Sequence, residues 1–172
     1  MKTNELNLAE VFKFMLAEQL AAEKKYQKFF DKLPKLIYTD EMRLAISPGE
    51  TDIESHISRL SRAMETLQQK TTSNLADPDQ KFLESLKTVS AGKTVSLYKD
   101  IQLLEIFKAL YNFKVSRYDS LYRMAAVLGH EEYAMLLEQC SKDNQNTYAY
   151  LNQVSQNVIY PEARELTAAA ES

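Results

Sequence analysis

The stretch from Ser96 to Gly129, SLYKDIQLLEIFKALYNFKVSRYDSLYRMAAVLG, decides the fold class. Ile101, Leu104, Phe107, Tyr111, Tyr118, Leu121 and Ala125 recur at three- and four-residue steps, which puts them on one face of a single long helix. No proline or internal glycine interrupts the run from Ser96 to Leu128. Gly129 then supplies the residue that most easily adopts the left-handed conformation closing a helix. A helix of this length must bury its stripe against others of similar length. Lys114, on the turn after Tyr111, places a cation where that stripe should be dry.

The rest of the chain supplies the partners. Helix one is expected from Leu8 to Lys32, on Leu8, Phe12, Met15, Leu16, Gln19, Glu23, Tyr26 and Phe30, with Pro34 stopping it. A short helix follows over Thr39–Ile46. Ser47-Pro-Gly-Glu50 reads as a capping box opening a second main helix to about Lys70, on Ile53, His56, Ile57, Leu60, Met64 and Leu67. A continuous kinked helix from Asp40 to Lys70 is the competing reading. Asp77-Pro-Asp-Gln80 caps a short amphipathic helix that ends near Gly92 and is expected to cross one end of the bundle. The last main helix covers Glu131 to Val158, and Pro161 with the Glu162–Ser172 tail is expected to fray. The expectation is one all-α domain over residues 1–172, a four-helix bundle with a long crossover and one or two short accessory helices.

Composition excludes several classes of function. The chain has 172 residues with only 3 Gly and 4 Pro, which leaves little material for hairpin turns. No apolar run reaches the roughly 18 residues of a membrane span, so no membrane is expected as a partner. The polar Met1–Leu8 segment lacks the apolar region of a secretion signal, and a single cysteine, Cys140, cannot form an internal disulfide, so a cytoplasmic setting is expected. The net charge of −3, with acids and bases interleaved, argues against a nucleic-acid partner. No Ser/His/Asp grouping, CxxC or phosphate-binding glycine loop is present.

Glu23, His56 and Asp143 fall on or beside the apolar stripes of three different helices. Burying an ionisable group costs several kcal/mol, roughly, unless it is paired or bound to a metal. A shared interior site follows, and one reading of it is a metal centre. The other reading is a buried polar network of Glu23, His56, Tyr111, Lys114 and Asp143. Asp52 can also serve simply as an acid in a first helical turn. Tyr26, Tyr122, Tyr133, Tyr148 and Tyr150 more often fill space and find a hydrogen-bond partner than mark redox chemistry. Cys140 reads as an inert core thiol, and His130 as a residue of a surface turn.

Several motifs in order resemble the bacterial ferritin-like proteins of the YciE/YciF type, a family without a settled biochemical role. They are Glu10-Val-Phe, Ala22-Glu23-Lys24, Glu54-Ser-His56-Ile-Ser-Arg59-Leu60, Leu128-Gly129-His130 after Tyr118 and Leu121, Leu136-Leu137, and Asn157-Val158 with Glu162-Ala163. The resemblance implies a ferritin-like bundle, dimers, a cytoplasmic setting and an association with stress responses. It also implies a carboxylate from each of two helices and a carboxylate with a histidine one turn away from each of the others, a donor set suited to iron or manganese. Glu23 matches the helix-one carboxylate, and Asp52 and His56 match the acidic and histidine positions of helix two. Two elements depart from the pattern: Tyr111-Asn112-Phe113-Lys114 and Ser141-Lys142-Asp143-Asn144 stand where further metal-binding acids are implied. An ammonium group in the site would repel a divalent metal. The expected protein therefore carries no cofactor. It is a non-enzymatic, stress-associated homodimer whose dimetal site has become a polar network. The alternative is an iron- or manganese-binding oxidoreductase that handles peroxide through Glu23, Asp52 and His56.

Overall fold

The computed structural model describes residues 7–171. Helix α1 (Leu8–Phe30) is capped by Asn7. The Asn7 side chain accepts from the Glu10 N–H, and the Glu10 carboxylate accepts from the Asn7 N–H, both at 3.0 Å. This reciprocal pair satisfies two amides that a helix start otherwise leaves bare. The helix stops two residues before the expected Lys32, and Pro34 sits inside a short 3-10 turn, Leu33–Leu36.

Helix α2 (Asp40–Ala45) and helix α3 (Ile53–Thr66) are separate. Ser47 Oγ does accept from the Glu50 N–H, at 3.4 Å, but no helix starts there. Asp52 adopts the left-handed conformation (φ +52), which interrupts any helix running through it. Both the helix opening at Pro48 and the continuous Asp40–Lys70 helix are thereby corrected. Helix α3 also ends before Lys70, because Gln68 is left-handed at φ +50. Gln69 N–H returns to the Met64 carbonyl at 2.9 Å and Gln68 N–H to Glu65 at 3.1 Å, closing the helix end.

Helix α4 (Asp77–Ser90) has Pro78 in its first turn, and helix α5 (Leu97–Val127) is capped by Ser96, whose hydroxyl accepts from the Lys99 N–H. As the sequence leads one to expect, Gly129 (φ +77) closes α5, with His130 N–H on the Ala125 carbonyl at 2.8 Å. Helix α6 (Glu131–Val154) widens into one π turn, Ser155–Ile159, and continues as α7 (Tyr160–Glu171). The tail expected to fray from Glu162 is thus helical as far as Glu171. The widened turn places Tyr160 N–H on the Ser155 carbonyl. Pro161, which has no N–H to donate, then enters the first turn of α7 without breaking the rod.

Helices α1, α3, α6 and α5 pack in that cyclic order, with α5 and α6 forming the most extensive pair. Cross-contacts fix the directions: α1 and α6 run one way, α3 and α5 the other. Residues 67–96 therefore carry the chain diagonally between two parallel helices. The structure is a four-helix bundle with one long crossover. Helix α4 does not cross an end of it but lies antiparallel along α5, with Phe82 and Phe113 ring centroids 5.8 Å apart and Leu86 buried. Among the described residues no helix is long and apolar enough to cross a membrane.

Asp100, in the first turn of α5 and fully buried, ties down the link between α1 and α2. It accepts from the Tyr38 N–H (2.9 Å), the Thr39 N–H (2.7 Å) and the Thr39 hydroxyl (2.8 Å). The apolar core falls into two parts. One gathers Tyr26, Phe30, Phe107, Leu104 and Leu151, the other Phe12, Leu16, Leu60, Leu121 and Leu137. Each large side chain so buried contributes about 1.5–3 kcal/mol. Between the two parts lies a layer of charge.

A candidate functional site: the charged layer inside the bundle

Glu23 stands at the centre of this layer with no solvent exposure. One turn earlier on α1, Gln19 donates its amide to Glu23 Oε1 at 3.0 Å. Across the bundle on α5, Tyr118 donates its hydroxyl to the same oxygen at 2.8 Å, and the Lys114 ammonium donates to Oε2 at 2.9 Å. Lys114 is also fully buried, its nitrogen 5.2 Å from the Tyr111 ring centroid and 5.7 Å from that of Tyr26. Two aromatic faces thus supplement the single carboxylate in stabilising the cation. Steps of three and four residues along α5 put Tyr111, Lys114 and Tyr118 on one side of it, facing Glu23.

A second ion pair completes the layer from α3 and α6. His56 Nε2 lies 3.3 Å from Asp143 Oδ2, and Arg59 Nη1 donates to that oxygen at 2.6 Å. Gln139 donates to Asp143 Oδ1 at 2.7 Å. His56 Nδ1 points back toward Glu23 Oε1 at 3.9 Å, beyond hydrogen-bond range. His56 therefore lies between two carboxylates belonging to different ion pairs and is within hydrogen-bond distance of Asp143 alone. Near the edge, Arg117 pairs with Glu18 at 2.8 Å.

Electrostatics hold the two central acids in their charged forms. Burial alone would raise the pKa of Glu23, but the Lys114 charge, then His56, and the hydrogen bonds from Lys114 and Tyr118 bring it below the ordinary 4.5. Burial likewise opposes Asp143, and hydrogen bonds from His56, Arg59 and Gln139 outweigh it, so its pKa falls far below 3.8. Burial and then the Glu23 charge push Tyr111 and Tyr118 well upward, so both stay neutral; Tyr118 donates to Glu23, and the buried Tyr111 hydroxyl has no partner among the described residues. Burial raises the Cys140 thiol to about 12, which leaves it an unreactive core group.

These shifts have a sign. Lowered folded-state values mean that Glu23 and Asp143 contribute stability above pH 4.5 and 3.8 respectively, and lose it as pH falls toward their folded values. Melting followed by circular dichroism should therefore weaken steadily below about pH 4.5. Asp143→Asn should start less stable at neutral pH and lose less on acidification. An unchanged acid slope in that variant would show that Asp143 does not carry the effect.

Sequence reading placed Glu23, His56, Tyr111, Lys114 and Asp143 toward the interior, and the structure brings all five into one layer. Asp52 is not among them. It is exposed, and its left-handed backbone at the start of α3 directs it away from the face that carries His56. Arg59 and Gln139 stand one turn from His56 and Asp143, a spacing that could have flagged them. Asp79 gave no signal, since its Asp-Pro-Asp context reads as a helix start. Yet it is buried and accepts from the Tyr26 hydroxyl at 2.6 Å, joining α4 to the layer. Burial, then the Glu23 charge, raises its pKa. His130, expected at a surface turn, is half-buried in the turn before α6, stacked on Phe12 and tilted against Tyr133.

The donor set does not suit a dimetal centre. Among the described residues no three His, Cys, Asp or Glu side chains are grouped so as to hold a metal ion. The Glu23 oxygens are taken by Lys114, Tyr118 and Gln19, and His56 Nε2 by Asp143. An ammonium at 2.9 Å from the central carboxylate already supplies the positive charge that a metal would bring.

A family model described as a domain of unknown function, DUF892, matches residues 7–164. The chain belongs to this family. Two solved structures are similar to it. The E. coli stress protein YciF superposes with a TM-score of 0.80 at 19% identity, covering 91% of this chain and 97% of that one. YcfI of Rhodopseudomonas palustris superposes with a TM-score of 0.76, also at 19% identity, covering 90% of this chain and 98% of that one. Comparison with curated proteins found no match. At such identity the likeness of this family member to the two structures is one of fold.

Proposed function

We propose that the protein is a ferritin-like, non-enzymatic, stress-associated protein in which a charged layer replaces the dimetal centre, and that it acts by self-association and partner binding. The observation that carries this reading is the fully buried Lys114–Glu23 pair at 2.9 Å. The up-down-down-up order of α1, α3, α5 and α6, joined by one long crossover, is the connectivity of ferritin-like bundles. The stress association rests on the description of YciF, whose fold this chain shares. A layer in which Lys114 matches Glu23 and Arg59 matches Asp143 holds the helices in one register. Its contribution is structural specificity.

Metal content tests the reading. Protein grown with added iron and manganese, desalted and analysed by mass spectrometry, is expected to hold far less than one equivalent per chain. Two tightly held equivalents would overturn the proposal and favour an oxidoreductase.

A homodimer is the expected assembly, since twofold pairs are the commonest closed symmetry. Phe14, Val127 and Met135 present large apolar side chains to solvent in the single chain. Light scattering at micromolar concentration should return about twice the 19.8 kDa chain mass. A mass equal to one chain would remove self-association from the proposal.

A further inference from the structure

A cleft of about 530 Å³ opens between α1, the segment 73–75 and α4, away from the charged layer. Its size falls within the roughly 300–1,000 Å³ of small-molecule sites. Phe29, Leu75 and Leu83 form a half-buried apolar floor at the edge of the core. Lys25 and Lys28 from α1 and Lys87 from α4 stand around it, all exposed. Among the described residues no ion pair joins any of these three to a carboxylate. Glu84, the acid in the lining, is held by Lys81 at 3.1 Å, so the cleft keeps a positive rim.

We propose that this cleft binds a small amphipathic anion, an alkyl carboxylate, with its chain over Phe29, Leu75 and Leu83 and its headgroup among Lys25, Lys28 and Lys87. A bare inorganic anion would leave the apolar floor wet. A neutral alkyl chain would leave the ammonium groups without a counter-charge. A macromolecular partner needs roughly 800 Å² of its own surface in contact, far more than this short lining offers. Because the cleft joins α1 to the crossover, an occupant bridges α4 to the bundle and restrains it. Binding to the folded state alone also stabilises that state.

Calorimetry on the full chain tests the assignment with sodium decanoate, octanoate, 1-decanol and inorganic phosphate. Decanoate should bind with a Kd of about 10–100 μM. Each methylene removed should weaken binding by up to about fourfold, so octanoate falls about tenfold below decanoate. Decanol and phosphate should each bind at least about tenfold more weakly, a difference of about 1.4 kcal/mol. Charge reversal at two exposed positions, Lys28→Glu with Lys87→Glu, should weaken decanoate about tenfold while leaving the octanoate-to-decanoate ratio and the circular dichroism spectrum unchanged. Amide exchange in residues 77–90 should slow when decanoate is present. The assignment is overturned if decanol binds as tightly as decanoate, if phosphate alone matches it, if charge reversal leaves the affinity intact, or if no heat appears up to about 1 mM decanoate.

Discussion

Lys114→Met and Glu23→Leu, each made alone, will destabilise the fold by about 3–5 kcal/mol, because each leaves an opposite charge buried without its partner. The two are not equivalent. Glu23→Leu also removes the acceptor of the Tyr118 hydroxyl and of the Gln19 amide, so it should be the worse of the pair. The double change of Lys114→Met with Glu23→Leu removes the charge imbalance but leaves those two donors stranded. Lys114→Met with Glu23→Gln keeps an acceptor in place and should recover more. Urea unfolding of the wild type, the two single variants and the Lys114→Met/Glu23→Leu double closes a double-mutant cycle, in which a coupling of about 2–3 kcal/mol is expected. Additive losses would show that the pair contributes nothing as a pair. Lys114→Glu complements the cycle: it removes the cation beside Glu23 and His56, and any iron or manganese affinity it gains would mark the ammonium as what excludes a metal.

Asp100→Ala should cost about as much, about 3–5 kcal/mol, through a different mechanism. It strands the Thr39 amide and hydroxyl at a buried site and the Tyr38 amide at a half-buried one, and bonds to a charged acceptor are worth about 1.5–3 kcal/mol each. It also removes a negative charge from the N-terminal turn of α5, where the helix dipole favours one. Asp100→Asn retains one acceptor oxygen and should fall between wild type and alanine. Thr39→Ala removes a single bond and should cost about 1 kcal/mol. A cost below about 1 kcal/mol for Asp100→Ala would mean that the link between α1 and α2 is held by its apolar contacts instead.

Much of this architecture could be read before any coordinates, for a local reason. The stripe from Ile101 to Ala125, the Gly129 stop and the breaks at Pro34 and Gly92 depend on residues a few positions apart. Local periodicity and capping act over that same range. The interior placement of Glu23, His56, Tyr111, Lys114 and Asp143 was legible in the same way, because each shares a helical face with apolar neighbours. The misjudged segments are those where backbone conformation overrode composition. Asp52 and Gln68 take left-handed values that nothing in their side chains demands, and the π turn absorbs Pro161 where a helix end was expected.

By itself, the sequence determined an all-helical chain, four long amphipathic helices and the presence of charge on their inner faces, since these follow from spacing along one chain. Only the tertiary structure decided which charges meet. It brought Lys114 to Glu23 and Arg59 to Asp143, turned Asp52 outward, and drew Asp79 and Asp100 into buried contacts from positions that read as ordinary helix starts. Pairings across 53 to 91 residues are set by how helix faces rotate against one another. A carboxylate at a helix start looks the same in sequence whether water or a distant backbone amide becomes its partner.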